Sequence, residues 1–442
     1  MATIEPPSKP AMFPLLAVVF IGTLGFSIVL PFLVFLVTDL GGNAVVYGLI
    51  GATYSAFQLI GAPLMGRWSD RYGRRRILFL SQAGTFLAWG FFLLALLVPV
   101  TPLAAIENPL VGAFTLTIPL LILGFARALD GLTGGNVAVA QAYLADITTE
   151  KERSAGFGKL AVAQNLGFIV GPALAGLLGG SLLGDTGPVL GALLISGLAL
   201  MAIGWWLPES QPCQWVNRPN PGSIRRVMGQ EPRDCHEEQG PRRYSALTVL
   251  RLPGVGVLLV VHFLVYLGFN FYYVSFPVHA STGMAWSMTE VGFFLSYLSI
   301  LMALVQGPLI GWLAPRIPDQ YLMVAGGLIL AAGFAAFSFS APGAVWAGGA
   351  LIALGNGLLW PALLSMLSQR AGSAAQGSVQ GIAGSSGAVA SIGGMIFGGM
   401  LYSGLAEQVF LVAAGIAALA CLALAVGNHE DAKTQGEHTG HR

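Results

Sequence analysis

The chain has 442 residues, of which 55% are hydrophobic and only 9% are charged, and its mean hydropathy is +0.74. Soluble domains contain about 25% charged residues, so this composition excludes a soluble globular protein and predicts a polytopic membrane protein. The net charge of +1 provides no basic field for nucleic acid, and 3 cysteines are too few for a disulfide framework.

Apolar runs long enough to cross a bilayer recur along the chain. A helical span needs about 20 predominantly apolar residues. Runs of this kind predict twelve spans, at 12–37, 45–66, 77–98, 115–145, 157–180, 188–207, 252–276, 289–313, 320–340, 343–368, 377–402 and 407–427. The first run is too long for a signal-peptide core of about 7–15 residues and is interpreted as a retained span. An even number of spans places both termini on one side.

Basic residues collect on one side of this topology. Of the 21 Lys and Arg residues, 20 lie in the tails or in the loops that follow even-numbered spans, and the loops on the other side contain none. The loop at 67–76 alone holds five arginines. Because positive charge resists translocation, we expect this side, and with it both termini, to be cytoplasmic.

A polar stretch divides the spans into two groups of six. Residues 208–251 are rich in Pro, Arg, Glu and Gln, a composition that buries too little apolar area to fold alone. The predicted organisation is an N-tail, a six-helix bundle, a linker, a second six-helix bundle and a C-tail, at 1–11, 12–207, 208–251, 252–427 and 428–442. The halves also echo each other, since IGAPLMGRWSDR (60–71) aligns with VQGPLIGWLAPR (305–316). Parallel repeats of this kind are typical of secondary transporters, which bind substrate between the halves near the midplane.

The arginine-rich loop contains one acidic residue between two glycines. Asp70 lies at the end of the second span, and Gly66 and Gly73 allow close backbone approach. At this position Asp70 is able to meet positive partners and a helix N-terminus. Its expected partners are Arg74, Asp146 at the end of the fourth span, and the start of the eleventh span near Gln376. The alternative is a cluster of arginines that only fixes orientation.

Arg127 and Asp130 are the opposite charges that the predicted topology places well inside a span. Their i, i+3 spacing puts them on one face of the fourth helix. Ionisable groups at this depth are costly and mark functional sites. A proton on Asp130 would release Arg127 and change the local field, which predicts a coupling element. The alternative is a static ion pair that holds the fourth helix against its neighbours.

Five segments resemble motifs of one transporter family. GRWSDRYGRRR (66–76) resembles the G-x-L-x-D-R-x-G-R-R signature of the major facilitator superfamily, with Trp68 where leucine is usual. FARALDGLTGG (125–135) is similar to its fourth-helix motif, and GFIVGPALAGLLGG (167–180) to the fifth-helix motif of drug antiporters. AYLADITTEKERSAGFG (142–158) and LPES (207–210) resemble the tetracycline/multidrug antiporter branch.

The resemblance covers all twelve predicted spans and implies an all-α membrane protein of two pseudo-symmetric six-helix bundles. It implies a conformational latch that closes the cytoplasmic side, formed by Gly66, Asp70, Arg71, Gly73, Arg74 and Asp146. It also implies a seal against leakage on the fifth helix, formed by Gly167, Gly171, Pro172 and Gly176. Tight helix packing is the alternative for these small residues, because it needs the same glycines.

A polar stripe on the seventh span predicts the wall of a substrate cavity. His262, Tyr266, Asn270 and Tyr273 fall within one narrow arc of an otherwise apolar helix. In this architecture the first, fourth, seventh and tenth helices line the cavity. The predicted cavity residues are Thr23, Ser27, Tyr266, Asn270, Tyr273, Asn356 and Trp360. Neutral polar groups among aromatics suit an amphipathic ligand of drug size, and interhelical hydrogen bonding is the alternative.

One departure from the family pattern concerns the proton route. Tetracycline/proton antiporters carry an acidic residue in the first helix, where this chain has the run GTLG at 22–25, and TFLAWGFF (85–92) in the third span also has no carboxylate. Proton coupling is therefore assigned to Asp130, Arg127 and His262, with Glu290 as a further candidate.

The predicted function is secondary active transport, with proton-coupled efflux of amphipathic drug-like compounds as the first interpretation. Uptake or uniport of a small metabolite, and flipping of a lipid-linked substrate, remain alternatives, and a non-transporting membrane scaffold or sensor is a further class. The chain shows no nucleophile constellation, nucleotide-binding motif or metal site, since the linker run 235–238 is too compact for a tetrahedral shell. We expect no enzyme activity and no cofactor beyond the proton gradient. We expect a monomer in a bacterial inner membrane, whose partners are its substrate and the lipid bilayer.

Overall fold

The computed structural model describes residues 12–108, 111–148, 150–210, 246–250, 252–339 and 341–439. Helices α1–α14 of this part of the chain cover Met12–Asp39, Ala44–Tyr72, Arg74–Leu97, Ile118–Thr133, Asn136–Ile147, Glu150–Gly179, Thr186–Trp205, Ala246–Leu250, Val255–Val278, Met288–Leu304, Ile310–Leu313, Asp319–Ala336, Pro342–Leu405 and Val409–Thr439. Strands β1 (Pro102–Asn108) and β2 (Gly112–Thr117) pair antiparallel between α3 and α4. Most of the predicted linker, including the run 235–238, and residues 1–11 and 440–442 lie outside the described residues.

The bilayer core contains no water that could hydrogen-bond to the backbone, so a segment that crosses it forms a helix, in which backbone N–H and C=O groups bond to each other. The side chains of these helices are apolar because they face lipid. Eleven continuous ranges of the described chain are long and apolar enough to cross a membrane. The last of them, Ser378–Leu424, has 47 residues, about twice the length that one crossing needs. The short 3₁₀ turn Ala406–Gln408 divides it into the end of α13 and α14, and Ala406 has a φ of +50°. The described chain therefore makes twelve crossings, which confirms the predicted number.

The fourth crossing differs from its prediction in two ways. The sequence predicts one helix over 115–145, whereas the residues up to Thr117 belong to β2 and the helix breaks at Gly134 and Gly135 between α4 and α5. The break is stabilised by neighbouring helices: Oγ of Ser81 donates to the backbone oxygen of Thr133 (2.5 Å), and Nε2 of Gln58 donates to that of Gly134 (3.2 Å). Apolar periodicity alone does not reveal such a break, because glycines are also common where helices of a membrane protein pack closely.

The hairpin covers the turn between α1 and α2. Nδ2 of Asn43 donates to the backbone oxygen of Val111 (2.8 Å), and the backbone N–H of Thr115 donates to the oxygen of Gly41 (2.9 Å). Oγ1 of Thr117 adds a hydrogen bond of 2.8 Å to the backbone oxygen of Leu40. These bonds satisfy backbone groups at the helix ends, which would otherwise be exposed.

The two halves, α1–α7 and α8–α14, meet on the side opposite the arginine-rich loop. We call the loop side the basic side and the other the closed side. On the closed side, a Cβ built at Gly399 of α13 would lie 2.5 Å from the backbone oxygen of Ala44 in α2. A buried apolar cluster there mixes residues of both halves, among them Phe32 and Tyr47 with Val278 and Met288.

On the basic side the described residues show no close approach of this kind. A Cβ built at Gly66 near the end of α2, or at Gly384 of α13, has no described atom within 4 Å. The close glycine approaches between the halves that the described residues make thus lie at one end of the molecule, the closed side.

Candidate functional site

A buried ion pair lies in the middle of the fourth crossing, on α4. Nη1 of Arg127 is 3.2 Å from Oδ2 of Asp130, and the two residues are 5% and 8% exposed. The other carboxylate oxygen accepts a hydrogen bond of 2.9 Å from Oγ1 of Thr85 in α3. Buried charges persist when they are paired and hydrogen-bonded, and both oxygens of Asp130 meet this condition. The predicted i, i+3 pair is therefore present, with Thr85 as an additional partner.

The guanidinium of Arg127 is less completely satisfied than the carboxylate. Its Cζ lies 4.3 Å from the ring centroid of Tyr54 in α2, a cation–π contact. Its Nε is buried and has no hydrogen-bond partner. The Tyr54 ring packs on Phe26 of α1 at 5.4 Å between centroids, and its hydroxyl accepts from Nε2 of Gln58 (2.9 Å). Sequence analysis missed Tyr54 and Gln58, although their i, i+4 spacing in an apolar span is a readable signal.

Three rings form a cluster in the second half. The centroids of His262 and Tyr266 of α9 are 4.9 Å apart, and Trp360 of α13 lies 5.3 Å from His262 and 4.9 Å from Tyr266. His262 is buried, and its Nδ1 has no hydrogen-bond partner. Asn356, one turn before Trp360, is also buried. Among the contacts of the described residues none joins His262 to the α4 ion pair, so its role in proton coupling stays a prediction.

The remaining stripe residues extend along α9 toward the first half. Nδ2 of Asn270 donates to the backbone oxygen of Tyr266 (2.8 Å) and to Oγ of Ser391 in α13 (3.0 Å). The ring of Tyr273 stacks on Phe269 of the same helix at 5.9 Å between centroids. The stripe is therefore fixed to α13 at Asn270.

The α1 residues predicted to line the cavity lie in helix contacts. Ser27 is fully buried, and its Oγ donates to the backbone oxygens of Gly167 in α6 (2.9 Å) and Leu24 (3.1 Å). Ser27 therefore joins α1 to α6 instead of facing the cavity, because its short hydroxyl reaches a carbonyl of the adjacent helix. Thr23 is buried beside the same glycine, where a Cβ at Gly167 would lie 2.8 Å from the Thr23 Cβ.

A polar layer that sequence analysis missed lies inside the first half. Nε2 of Gln82 in α3 donates to Oγ of Ser196 in α7 (2.7 Å), and both residues are buried. A Cβ at Gly22 of α1 would lie 3.7 Å from Oε1 of Gln82 and 3.6 Å from Nδ2 of Asn136 in α5. The first-helix stretch in which the resemblance implies a carboxylate thus faces two amides.

The glycine-rich face of α6 contacts both halves. Cβ atoms at Gly167 and Gly171 would collide with α1, and one at Gly176 would lie 3.0 Å from the Cα of Thr289 in α10. Oγ1 of Thr289 donates to the backbone oxygen of Gly176 (2.8 Å). A Cβ at Gly292 of α10 would overlap the backbone oxygen of Pro172. The motif therefore packs α6 on α1 within the first half and on α10 across the closed side.

Gly171→Val is expected to destabilise the protein by about 1–3 kcal/mol, the usual cost of overpacking. The reason is that a Cβ at Gly171 would overlap Oγ of Ser27, which already bonds α1 to α6. The measurement is the apparent unfolding temperature of purified protein in detergent. Gly158→Val is the matched control, because it adds the same side chain to the same helix where no described atom lies within 4 Å. Equal unfolding temperatures for the two variants would contradict the packing role.

Arg74 joins several groups at the basic end of the first half. It forms an ion pair with Asp70 of α2, its Nε donates to Oδ2 of Asp146 in α5 (3.0 Å), and its Nη1 donates to Oγ of Ser69 (2.8 Å). Asp146 also accepts from Oγ of Ser210 (2.9 Å). The expected association of Asp70 with Asp146 is thus made through the arginine between them.

Gly73 forms the sharp turn between α2 and α3 with a φ of +99°, a conformation that glycine adopts without strain. Oε1 of Glu209 accepts from the backbone N–H of Arg75 (3.1 Å), and Nε of Arg75 donates to the backbone oxygen of Ile203 (3.2 Å). Arg71 is buried, with its Cζ 5.0 Å from the ring centroid of Tyr72. Sequence analysis missed Glu209 as a partner of the loop, although it lies in the LPES segment.

Comparison with known proteins settles the family. The model of the Major Facilitator Superfamily matches residues 15–259 and again 258–441. The chain belongs to the Major Facilitator Superfamily. It is 30% identical over 382 residues to the class D tetracycline resistance protein of Salmonella ordonez, covering 85% of each chain. It is 26% identical to multidrug resistance protein 2 of Bacillus subtilis, covering 89% of each.

The fold is shared with solved structures of this superfamily. A crystal structure of a D-xylose–proton symporter superposes with a TM-score of 0.70 at 16% identity, over 94% of this chain and 97% of the symporter. The likeness confirms the two-bundle fold inferred from the twelve crossings. The resemblance to the superfamily that the motifs carry is also confirmed, whereas the roles assigned to individual site residues and the domain boundaries remain predictions.

The described contacts of the loop motif that the superfamily resemblance interprets as a latch lie within the first half. Asp70 is paired with Arg74, and no described atom lies within 4 Å of a Cβ built at Gly66. The side chain of Gln376, the expected partner in the second half, lies outside the described residues. The described residues thus show the first-half portion of the proposed latch.

Arg74→Gln is expected to slow transport about tenfold with little change in unfolding temperature. Without the arginine, Asp70 and Asp146 lose their shared partner and closure of the basic side is weakened, whereas ion pairs near the surface contribute only about 0–1 kcal/mol to stability. The measurement is the initial rate of substrate flux into membrane vesicles, together with thermal unfolding. Arg76→Gln is the control, since Arg76 is an exposed arginine of the same loop. Equal transport rates for the two variants would contradict the latch and favour the alternative, in which the arginines only fix the orientation of the protein in the membrane.

Proposed function

We propose that this protein is a secondary active transporter that exports amphipathic, drug-like organic compounds in exchange for protons. The observation that carries the proposal is the buried pair of Arg127 and Asp130, which lies midway along the fourth crossing. Tetracycline resistance and multidrug resistance in the names of its relatives support drug-like substrates. The fold alone does not set substrate or direction, since a sugar–proton symporter shares it.

The pair suits proton coupling because protonation changes which groups Arg127 can bind. In the ionised state both oxygens of Asp130 hold their donors, Arg127 and Thr85. A proton on the carboxyl group removes the charge that holds Arg127, which is then able to bind a substrate or a group of the other half. Proton binding thereby shifts the equilibrium between the two arrangements of the halves, which is what coupling by population shift requires.

Alternating access would exchange the contacts at the two ends of the molecule. In this structure the Gly399–Ala44 and Gly176–Thr289 contacts close one side, and we infer that substrate enters from the basic side. Rocking of the halves would break these contacts and bring the loop motif against the second half. The glycines allow the helices of the two halves to approach closely on this side.

The remaining features of the proposal follow from topology and composition. From the positive-inside rule we infer that the basic side and both termini are cytoplasmic, and we infer that the membrane is the bacterial inner membrane. The proton gradient is the energy source, without a resident cofactor or metal and without enzymatic activity. The transporter is proposed to act as a monomer, with the bilayer and an organic substrate as its partners.

The test uses everted membrane vesicles with an acid interior. Tetracycline, ethidium, glucose and glutamate are added separately while acridine orange fluorescence follows the pH gradient. An exporter would carry substrate inward and protons outward, so a drug-like compound would dissipate the gradient in vesicles that contain the protein. Vesicles without the protein are the control. Dissipation by the sugar or amino acid alone would favour a metabolite porter, and no dissipation by any compound would overturn proton-coupled efflux for this panel.

A further inference from the structure

A buried histidine lies on the closed side, at the end of the crossing that α9 forms. His279 follows α9 directly and begins a π-helical turn, His279–Gly283. Its exposed fraction is only 2%. Turns of this kind are rare and are frequently found at functional sites. The proposed coupling through Arg127 and Asp130 leaves this titratable group without a role.

The imidazole ring of His279 is enclosed by elements of the second half. Its Nδ1 lies 3.3 Å from the hydroxyl oxygen of Tyr402 in α13, and its ring meets that of Phe410 in α14 at 5.5 Å between centroids. A Cβ built at Gly283 would lie 2.8 Å from Nδ1, so the backbone of the π turn also lies close. Glu407, in the turn between α13 and α14, interacts electrostatically with both His279 and Tyr402. Among the described residues, the titratable groups that face the imidazole are thus Tyr402 and Glu407.

The two ring nitrogens of His279 differ in their surroundings. Nδ1 faces the Tyr402 hydroxyl, whereas Nε2 is buried and has no hydrogen-bond partner among the described residues. A neutral imidazole is able to leave Nε2 as an unused acceptor while Nδ1 donates to Tyr402. A protonated imidazole carries N–H on both nitrogens, so Nε2 would become a charged donor that is buried without an acceptor. The closed arrangement therefore favours the neutral form of His279.

The surroundings of His279 adjoin the contact that closes this side. Tyr402 lies one turn after Gly399 on α13, and Gly399 is the glycine that approaches Ala44 of the first half. Val278, immediately before His279, belongs to the buried apolar cluster that both halves share, and Tyr402 packs against the same cluster. Separation of the halves at this end would therefore remove packing from both neighbours of the imidazole and admit water to it.

We infer that His279 is a second proton-binding site, on the closed side, and that its protonation favours opening of that side. The inference goes beyond the proposed function and takes from it only alternating access. A proton that binds while the side is open adds a charge that closure would have to bury, so low pH stabilises the open arrangement. We assign the closed side to the cell exterior, which is the acidic face of the proton gradient. External protons would thus hold the transporter open toward the face on which substrate is released.

The test measures the separation of the halves on the closed side as a function of pH. Spin labels are attached to Leu182→Cys, in the exposed turn after α6, and to Gly343→Cys, at the exposed start of α13, in the full-length protein without native cysteines. The background also carries Arg127→Gln, Asp130→Asn and His262→Gln, which remove the groups assigned to proton coupling. Double electron–electron resonance reports the distance between the labels. We expect the ratio of long to short distances to rise about tenfold from about pH 8 to about pH 5.5, for an imidazole that binds a proton at about pH 6.5 in the open arrangement alone.

His279→Gln stays neutral and should abolish this rise, and His279→Asn is a second neutral replacement in case the first does not elute as a monodisperse species. Glu107→Gln is the control, because it neutralises an exposed titratable group on the same side and should keep the rise. No rise in the starting background, a rise that persists without His279, or an equal loss in Glu107→Gln would overturn the inference. The vesicle assay separates the two proposals. A rise without proton movement in vesicles would contradict only proton-coupled efflux, whereas proton movement without the rise would contradict only the role of His279.

Discussion

Asp130→Asn is expected to lower gradient-driven substrate accumulation about a hundredfold or more. Asparagine keeps the size of the side chain and its ability to accept from Thr85, but it neither gains nor loses a proton in the physiological range. Removing one partner of a buried pair costs about 3–5 kcal/mol, and every 1.4 kcal/mol is a factor of ten in an equilibrium constant. The measurement is accumulation in everted vesicles with and without an imposed pH gradient. Exchange of labelled for unlabelled substrate, which needs no net proton movement, should persist.

The matched control is Asp319→Asn. Asp319 is also a carboxylate with two side-chain donors, Ser365 at 2.7 Å and Gln369 at 3.1 Å, but it lies at the start of α12 on the basic side. Its replacement should leave gradient dependence intact. A monodisperse elution profile in detergent checks that Asp130→Asn is folded. If this folded variant still accumulates substrate fully in response to the pH gradient, the α4 ion pair has only a structural role and other residues couple transport to protons.

The architecture was accessible from the sequence because the bilayer imposes one length on every span. Apolar runs of about 20 residues are visible directly in the sequence. The arginines at 67–76 indicate which helix ends lie on the cytoplasmic side. The internal match of 60–71 with 305–316 then indicates two related halves. Each of these signals is local or periodic, so a single sequence was sufficient to predict the twelve crossings.

The backbone irregularities carry no comparable signal. The break at Gly134 and Gly135 lies in a run of otherwise ordinary composition, and its stability depends on Ser81 and Gln58 from other helices. The hairpin at Pro102–Asn108 likewise depends on its contacts with the α1–α2 turn. Hydropathy reports burial in lipid and does not distinguish a continuous helix from one whose carbonyls are satisfied by neighbouring side chains.

The candidate site divides in the same way. Arg127 and Asp130 were predictable because their spacing is local and their charges are rare within spans. Thr85 and Tyr54, which complete their surroundings, come from α3 and α2 and have no sequence relation to α4. Ser27 was assigned to the cavity because a hydroxyl in an apolar helix has several uses, and only the neighbouring α6 backbone decides among them.

Gly399→Val is expected to shift the protein away from the closed-side contact and to reduce transport at least about tenfold. A Cβ at Gly399 would lie 2.5 Å from the backbone oxygen and 3.2 Å from the carbonyl carbon of Ala44, and a rotamer change does not relieve a clash with backbone. Overpacking costs about 1–3 kcal/mol, which corresponds to about a ten- to hundredfold change in an equilibrium between two arrangements. Opening the closed side removes this overlap without unfolding either half.

The readout is maleimide labelling of Ile50→Cys in a background without native cysteines. Ile50 is 5% exposed in the apolar cluster that both halves share on the closed side, so its cysteine should label slowly unless the halves separate there. Gly404→Val is the matched control, because it adds the same side chain to the same end of α13 where no described atom lies within 4 Å. Faster labelling with Gly399→Val, but not with Gly404→Val, would show that the glycine contact holds the closed side shut. Equal labelling in the two variants, with transport lost in both, would attribute the defect to valine in the helix and contradict a gating role for this contact.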